Sequence, residues 1–333
     1  MLTWQVMAIF VVAVAVMSWA SARLTVALER IGARLRFSEG LLGIVTALGA
    51  DAPEICSAVV ALSSSHHEVS LGVVLGSNIF NLAGMLGLSA LVAGRVPIGR
   101  EGLWFNGGTS LIVSVVVMAL VLQWIPVWAS LVLIALVYVP YVALTAMRPP
   151  RIEEIRLPPA IKRFLVVAIG HAHRDARKRV NIPYGSWWDA MWTLFWLSLI
   201  IVSSVGAVDS AVSLGNRWGI SQGVIGMLIL AALTSIPNVI AAVKLAREGR
   251  GTAVVSETLN SNALNILAGI TLPALLIGFV QPSAPIVFAA LWLLGMKLVA
   301  LVAASHRHGL HRRGGAALVV LYVIFVVIIV QWT

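Results

Sequence analysis

The chain has 333 residues, of which 60% are hydrophobic and only 11% are charged, and its formal net charge is +10. Soluble domains carry roughly 25% charged residues, so this composition excludes a soluble protein and indicates a single polytopic membrane domain. The positive charge alone would suit a nucleic-acid-binding protein, but it is distributed among several loops along the chain, one of them long.

Ten stretches approach the length and apolar character that a membrane-spanning helix needs, which is roughly 20 residues. In chain order they are Leu2–Ala20, Gly40–Leu62, Ser70–Gly94, Leu103–Leu122, Pro126–Met147, Asp189–Asp209, Gly219–Lys244, Thr252–Val280, Pro285–Ala304 and Ala316–Val330. We therefore predict an all-α polytopic membrane protein with about ten transmembrane helices. Its partners would be the lipid bilayer and small cations, with no nucleic acid and no cofactor.

The basic residues predict how these spans are oriented. If the N-terminus is outside, 21 of the 23 Lys and Arg residues fall in cytoplasmic segments, as the positive-inside rule requires. We expect both termini outside and the long basic loop in the cytoplasm, with the protein in the cell (inner) membrane. The predicted domains are residues 1–147, a cytoplasmic loop at 148–188, and residues 189–333. The loop contains a short apolar run, Phe164–Gly170, which is expected at the membrane interface.

An internal duplication is visible at an offset of 184 residues. Four polar or helix-breaking residues recur at this offset without a gap, as the pairs Pro53/Pro237, Ser77/Ser261, Asn78/Asn262 and Asn81/Asn265. Each half has five predicted spans, and because five is odd, the two halves lie in opposite orientations. Two inverted five-helix repeats with polar, interrupted helices are typical of secondary transporters, whose sites lie near the midplane.

The second and third spans carry the polar residues of the first repeat. Gly49 and Pro53 weaken the second helix, so backbone carbonyls near Thr46–Gly49 become candidate cation ligands. Asp51 and Glu54 are three residues apart and are therefore neighbours on the helix surface. A carboxylate in the bilayer costs at least ~2.5 kcal/mol and usually marks an ion path.

The third span completes the polar set of the first repeat, and the corresponding helices of the second repeat carry a matching set. Ser77 and Asn81 share one face of the third span, and the second half offers two further groups at helical spacing, Thr234, Ser235, Asn238 and Glu257, Ser261, Asn265. The last three are spaced i, i+4, i+8 and form a polar stripe. We expect these side chains to surround one cavity.

These motifs resemble those of the cation/calcium antiporter superfamily, most closely its sodium/calcium exchanger branch. That family carries G-T-S-x-P-E on one helix of each inverted repeat and G-S-N-I-F-N on the next. This chain has Gly49-Ala50-Asp51-Ala52-Pro53-Glu54 with Gly76-Ser77-Asn78-Ile79-Phe80-Asn81, and later Leu233-Thr234-Ser235-Ile236-Pro237-Asn238 with Asn260-Ser261-Asn262-Ala263-Leu264-Asn265. The resemblance covers both repeats and the ten-span plan.

The resemblance implies a ten-helix exchanger in which Na⁺ influx drives Ca²⁺ efflux by alternating access. It implies that Glu54 is a principal cation ligand and that Ser77, Asn81, Ser235, Ser261 and Asn265 help to form sodium sites. Carbonyls near Ala47 and Ala231 join them. The chain departs from the family pattern at Asn238, which replaces a glutamate, and at Ala50 and Asp51, which replace threonine and serine. Asp51 and Glu257 are extra acids, and one hypothesis is that Glu257 replaces the charge missing at Asn238.

Other functions have to be weighed on the sequence alone. The three carboxylates would also suit a proton-coupled cation antiporter or a sodium/proton antiporter. A degenerate family member that binds ions without transporting them is a further alternative. A membrane enzyme is disfavoured, because the sequence has no H-E-x-x-H and no G-x-S-x-G motif.

Overall fold

A computed structural model describes residues 2–147, 149–176, 185–306 and 309–332. Ten of its helices are long and apolar enough to cross a membrane, which confirms the predicted all-α, ten-span plan. The helices are α1 (Thr3–Arg34), α2 (Glu39–Ser63), α3 (His67–Ala93), α4 (Arg100–Val121), α5 (Val127–Ala146), α6 (Pro149–Glu154), α7 (Pro159–Ala176), α8 (Trp187–Trp218), α9 (Gln222–Arg247), α10 (Gly251–Ile277), α11 (Ala284–Ser305) and α12 (Arg312–Val330). Two strands, β1 (Arg95–Pro97) and β2 (Gly309–His311), form one antiparallel pair.

The offset of 184 residues relates whole helices as well as motifs. It maps both ends of α1 onto both ends of α8, and it does the same for α3 with α10 and for α4 with α11. The repeat in the sequence is therefore a repeat of structure. The five spans of each half give the two repeats opposite orientations.

Contacts between loops agree with this orientation. β1 follows the third span and pairs with β2, which precedes the tenth. Glu68, after the second span, accepts a hydrogen bond from the backbone N–H of Ser283, after the eighth, at 2.9 Å. The Arg34 guanidinium, at the end of the first span, donates to the carbonyl of Gly185, before the sixth, at 3.1 Å. Each contact joins loops separated by an even number of spans, as two loops on the same side of a membrane must be.

The first and sixth spans are longer than their apolar stretches. α1 and α8 each have 32 residues, which at 1.5 Å per residue is about 48 Å, well beyond the ~30 Å hydrocarbon core. The apolar stretch of each sequence ends where charged residues begin, but both α1 and α8 continue beyond it. The two helices pack along each other and against α2, with Trp19 and Trp196 in edge-to-face contact at 5.0 Å.

Three of the spans contain a π-helical segment, at Leu82–Leu88 in α3, Ile225–Leu230 in α9 and Leu267–Thr271 in α10. Prolines interrupt α2 at Pro53 and α9 at Pro237. Such breaks leave backbone groups outside the regular helical ladder and are frequent at functional sites. The four helices α2, α3, α9 and α10 pack on one another, so all of the polar motifs meet in one region.

The loop between the repeats contributes two helices, α6 and α7. Ile152, Leu165 and Ile169 are buried in a small apolar cluster that also includes Phe105 of α4. The apolar run predicted for the interface thus packs against the bundle, where α7 also contacts α2 and α10. Residues 148 and 177–184 of the predicted loop lie outside the described residues.

Lys297, in the middle of α11, is fully buried. Its ammonium group donates to the carbonyl of Ser110 at 3.2 Å and to the hydroxyls of Ser110 and Ser114 at 2.9 and 2.6 Å. These three oxygens belong to α4, so Lys297 fastens α11 of the second repeat to α4 of the first.

Candidate functional site

Four interrupted helices, two from each repeat, bring their polar side chains into one buried hydrogen-bonded network. Its members are at most 3% exposed, and they are Asp51 and Glu54 of α2, Asn78 and Asn81 of α3, Ser235 and Asn238 of α9, and Ser261, Asn262 and Asn265 of α10. We call this network the polar cluster. It joins residues separated by about 180 to 211 positions, so only the duplication of the fold brings them together.

Glu54 accepts hydrogen bonds from three neutral side chains of the second repeat. Its Oε1 accepts from the Ser235 hydroxyl and from the Asn238 amide at 3.4 Å. Its Oε2 accepts from the Asn265 amide at 3.0 Å. Such bonds orient the carboxylate and leave its negative charge uncompensated.

Asp51 lies beside Glu54 and has neutral partners as well. Its Oδ1 accepts from the Ser261 hydroxyl at 2.7 Å and from the Asn238 amide at 3.0 Å. The Asn238 amide therefore bridges the two acids, which are close enough to interact electrostatically. The salt bridges found among the described residues, Arg30–Asp189 and Arg250–Glu248, are both elsewhere.

Asn78 and Asn262 mark the centre of the cluster. The Asn78 amide donates to the Asn262 carbonyl at 3.0 Å, and the Asn262 amide donates to the Asn78 carbonyl at 3.2 Å. The two residues are 184 positions apart, so this reciprocal pair lies on the axis that relates the repeats. Sequence reasoning used them as markers of the duplication but not as site residues, although their recurrence next to Ser77 and Ser261 was the available signal.

Several buried oxygen atoms of the cluster have no hydrogen-bond donor among the residues that the structure describes. They are Asp51 Oδ2, Asn81 Oδ1, Asn262 Oδ1 and Asn265 Oδ1. An unsatisfied buried acceptor costs about 1–3 kcal/mol, and two buried carboxylates cost more unless positive charge reaches them. Oxygen ligands with carboxylate charge are what hard cations prefer. The chemistry of the cluster therefore fits a dehydrated cation.

Four of the predicted site residues make no side-chain bond within the cluster. The hydroxyls of Ser77 and Thr234 donate to carbonyls of their own helices, Val74 at 3.1 Å and Leu230 at 2.8 Å. Ala47 is buried in α2, where only its backbone has polar atoms to offer.

The fourth residue, Glu257, lines a separate cavity of about 100 Å³ with Thr46, Asn260 and Ala168 of α7. In the part of the chain that the structure describes, no group of three or more His, Cys, Asp or Glu side chains comes together as a metal site. Glu257 is therefore not grouped with Asp51 and Glu54 as a ligand set, although it is close enough to Asp51 to interact with it electrostatically. The acid hydrogen-bonded to Asn238 is Asp51, and the idea that Glu257 supplies the charge missing at position 238 stays a prediction.

The two sides of the cluster differ, although the repeats are related by symmetry. On one side α3 lies directly on α9, where a Cβ added at Gly76 would be 2.3 Å from the carbonyl oxygen of Met227 and one at Gly72 would be 2.5 Å from that of Gly223. On the other side, the positions equivalent to Gly72 and Gly76 are Ser256 and Asn260 of α10, which line the cavity. Close glycine packing thus shuts one side, and the cavity approaches the cluster from the other.

Comparisons with known proteins give one consistent result. The sequence profile of the sodium/calcium exchanger protein family matches residues 5–147 and 188–331. A putative antiporter CaxA from Alkalimonas amylolytica is 25% identical over 260 residues, covering 75% of this chain and 74% of the relative. The sodium/potassium/calcium exchanger 1 of Rattus norvegicus is 35% identical over 166 residues, but the match spans 47% of this chain and only 13% of that longer protein.

Among solved structures, the sodium-calcium exchanger NCX_Mj soaked with 10 mM Na⁺ and zero Ca²⁺ has a TM-score of 0.62 at 18% sequence identity. The match covers 98% of this chain and 99% of the other. The same exchanger soaked with 100 mM Na⁺ and 10 mM Sr²⁺ also gives 0.62, at 19% identity. These likenesses extend over the full ten-helix bundle and establish a common fold.

Proposed function

The chain belongs to the sodium/calcium exchanger protein family, and from this premise we propose that it exchanges Na⁺ for Ca²⁺ across a membrane by alternating access. It is an integral membrane protein of a transporter family, not an enzyme. The single observation that carries the proposal is the polar cluster, where two buried carboxylates and several unbonded oxygens meet, and where the part of the chain that the structure describes offers the carboxylates no Lys or Arg as a hydrogen-bond partner.

The ligand roles proposed for the cluster follow from its bonds. Glu54 and Asp51 would supply negative charge, and Asn81, Asn238 and Asn265 would supply neutral oxygens, with the hydroxyls of Ser235 and Ser261 turning toward the cation when it binds. Ser77 and Thr234 are buried beside them and would contribute their hydroxyl oxygens, and Ala47 its carbonyl. A cation would then be held by groups from both repeats, so that a change in their packing exposes it on one side at a time.

The cavity supports a path to one side of the membrane. Its lining includes Thr46, Glu257 and Asn260, and Asn260 precedes Ser261 of the cluster. We propose that it is the cytoplasmic approach, because it lies next to α7 of the basic loop. In this view the repeats are residues 1–147 and 189–333, the loop 148–188 is cytoplasmic, both termini are outside, and the membrane is the cell membrane.

Proton coupling is a second candidate function, and one specific observation favours it. Asp51 and Glu54 are adjacent acids, and among the described residues no basic side chain bonds to them, so a proton could replace a cation between them. Exchange of a cation for protons would then need no second cation site.

Flux in reconstituted vesicles tests both candidates. Proteoliposomes loaded with Ca²⁺ would be diluted into Na⁺, into choline at the same pH, or into choline with an inward proton gradient. We expect Ca²⁺ release driven by Na⁺. Release driven only by the proton gradient would favour the second candidate, and no release under any gradient would refute antiport of Ca²⁺.

Replacing Glu257 by glutamine is expected to have a small effect. Because Glu257 lines the cavity and is not one of the ligands proposed in the cluster, Glu257→Gln should leave the Ca²⁺ affinity within about threefold of wild type and slow exchange only modestly. Calcium titration of the purified variant measures this. A loss of Ca²⁺ affinity of more than about 30-fold would place Glu257 in the binding site and support the hypothesis that it replaces the charge missing at Asn238.

A further inference from the structure

Both acids of the polar cluster are on the same helix, α2. The residue 184 positions after Asp51 is Ser235, and the residue 184 positions after Glu54 is Asn238. The first repeat therefore carries two negative charges in the cluster, and the equivalent positions of the second repeat carry none.

The contacts across the repeats show how this asymmetry is accommodated. Asp51 accepts from Asn238 at 3.0 Å, and the symmetry-related contact joins Ser235 to Glu54. Each acid of α2 thus faces a neutral side chain of α9. Because an aspartate and an asparagine are nearly the same shape, the charge on Asp51 could be moved to position 238 by exchanging the two side chains.

One oxygen of Asp51 is already used and the other is free. Oδ1 accepts from Ser261 and Asn238, which fixes the orientation of the carboxylate. Oδ2 is buried without any donor, in a residue that is only 1% exposed. The two donors therefore hold the carboxylate so that one oxygen remains available to a cation.

We propose that Asp51 is the residue that makes this site select a divalent cation over a monovalent one. This inference rests on the proposed function, since it takes the polar cluster to be the cation site. Two carboxylates balance the charge of one Ca²⁺, and in a buried site an unbalanced charge is costly. With Glu54 alone, the site would balance one Na⁺. The Asn238 amide donates to both acids, and position 238 is where the second negative charge could equally reside.

Two variants test the proposal by removing the charge and then returning it 3.0 Å away. Asp51→Asn removes it, and the double variant Asp51→Asn with Asn238→Asp restores it on α9. The readout is calorimetric binding of Ca²⁺ and Na⁺ to the purified full-length protein in detergent, with thermal unfolding measured alongside. Asp209→Asn on α8, an exposed acid remote from the cluster, is the matched control.

We expect Asp51→Asn to weaken Ca²⁺ binding by at least about 100-fold while Na⁺ binding changes less than tenfold. The double variant should bind Ca²⁺ within about tenfold of wild type. Wild-type Ca²⁺ affinity in Asp51→Asn would overturn the proposal, and so would a well-folded double variant that binds Ca²⁺ no better than the single one. If the single variant does not fold, the double variant alone decides, since a more than 100-fold loss in it overturns the proposal.

The outcome separates this inference from the proposed function. If the wild-type protein binds neither cation, the proposed function itself fails. If the wild type binds both ions and Asp51→Asn is indistinguishable from it, the exchanger function stands and only the role of Asp51 is refuted.

Discussion

Replacing Glu54 by glutamine is expected to abolish cation binding and cation exchange together. Glu54 is fully buried, and its partners, Ser235, Asn238 and Asn265, are neutral, so its charge is available to a cation. Opposite unit charges about 4 Å apart attract by roughly 4 kcal/mol at an effective dielectric constant of about 20. Each 1.4 kcal/mol is tenfold in affinity, so Glu54→Gln should weaken Ca²⁺ binding by at least about 100-fold.

Calcium titration and vesicle flux measure the two effects on the same preparation. The protein should still fold, because glutamine keeps the side-chain volume and removes a buried charge. Glu248→Gln is the matched control, since the Glu248 side chain is 44% exposed and pairs with Arg250 outside the cluster. Normal flux in Glu54→Gln would mean that Glu54 has a structural role only.

Enlarging Gly76 is expected to stop exchange while sparing cation binding. A Cβ at this position would lie 2.3 to 2.8 Å from the oxygen, Cα and carbonyl carbon of Met227. These are backbone atoms, which cannot turn aside as a flexible side chain can, so Gly76→Val must push α3 away from α9. The side that glycine packing now shuts would be held open, and exchange should fall at least about tenfold because alternating access requires that side to close.

The measurements distinguish this variant from the loss of a ligand. Calcium affinity of Gly76→Val should stay within about fivefold of wild type although flux is lost. Gly108→Val in α4 is the control, because a Cβ there meets no atom within 4 Å, and it should exchange at nearly the normal rate. Equal rates in the two variants would show that the contact between α3 and α9 does not control transport.

Most of the fold follows from hydropathy, charge and the repeat. The ten spans and their opposed halves could be predicted, because apolar length and loop charge report directly on the membrane. The lengths of α1 and α8 could not be predicted. Hydropathy shows where an apolar stretch ends, but it does not show whether the helix continues beyond that stretch. The packing of α7 was missed for a related reason. An apolar helix face predicts that something covers it, and the sequence does not say whether lipid or protein does so.

Which residues form the candidate site could be predicted from the sequence more readily than which of their side chains bond to one another. Motif and offset identified Glu54, Asn81, Ser235, Ser261 and Asn265. The bridging role of Asn238 and its contact with Asp51 depend on the angle between α2 and α9, which spacing along one helix does not define. For the same reason the sequence could not predict that Glu257 lines the cavity, and its proposed role as a substitute for the charge missing at Asn238 stays a prediction.

The reciprocal pair of Asn78 and Asn262 has a consequence for how such a bundle could move. A twofold rotation that exchanges the repeats maps Asn78 onto Asn262 and Asn262 onto Asn78. If each repeat adopts the conformation of the other, the two hydrogen bonds of this pair are therefore unchanged. In the alternating access proposed for this protein, contacts away from the axis would break on one face and form on the other. The asparagine pair would therefore be the fixed point of the proposed movement. Its two hydrogen bonds would keep α3 and α10 joined while the site opens first to one side of the membrane and then to the other.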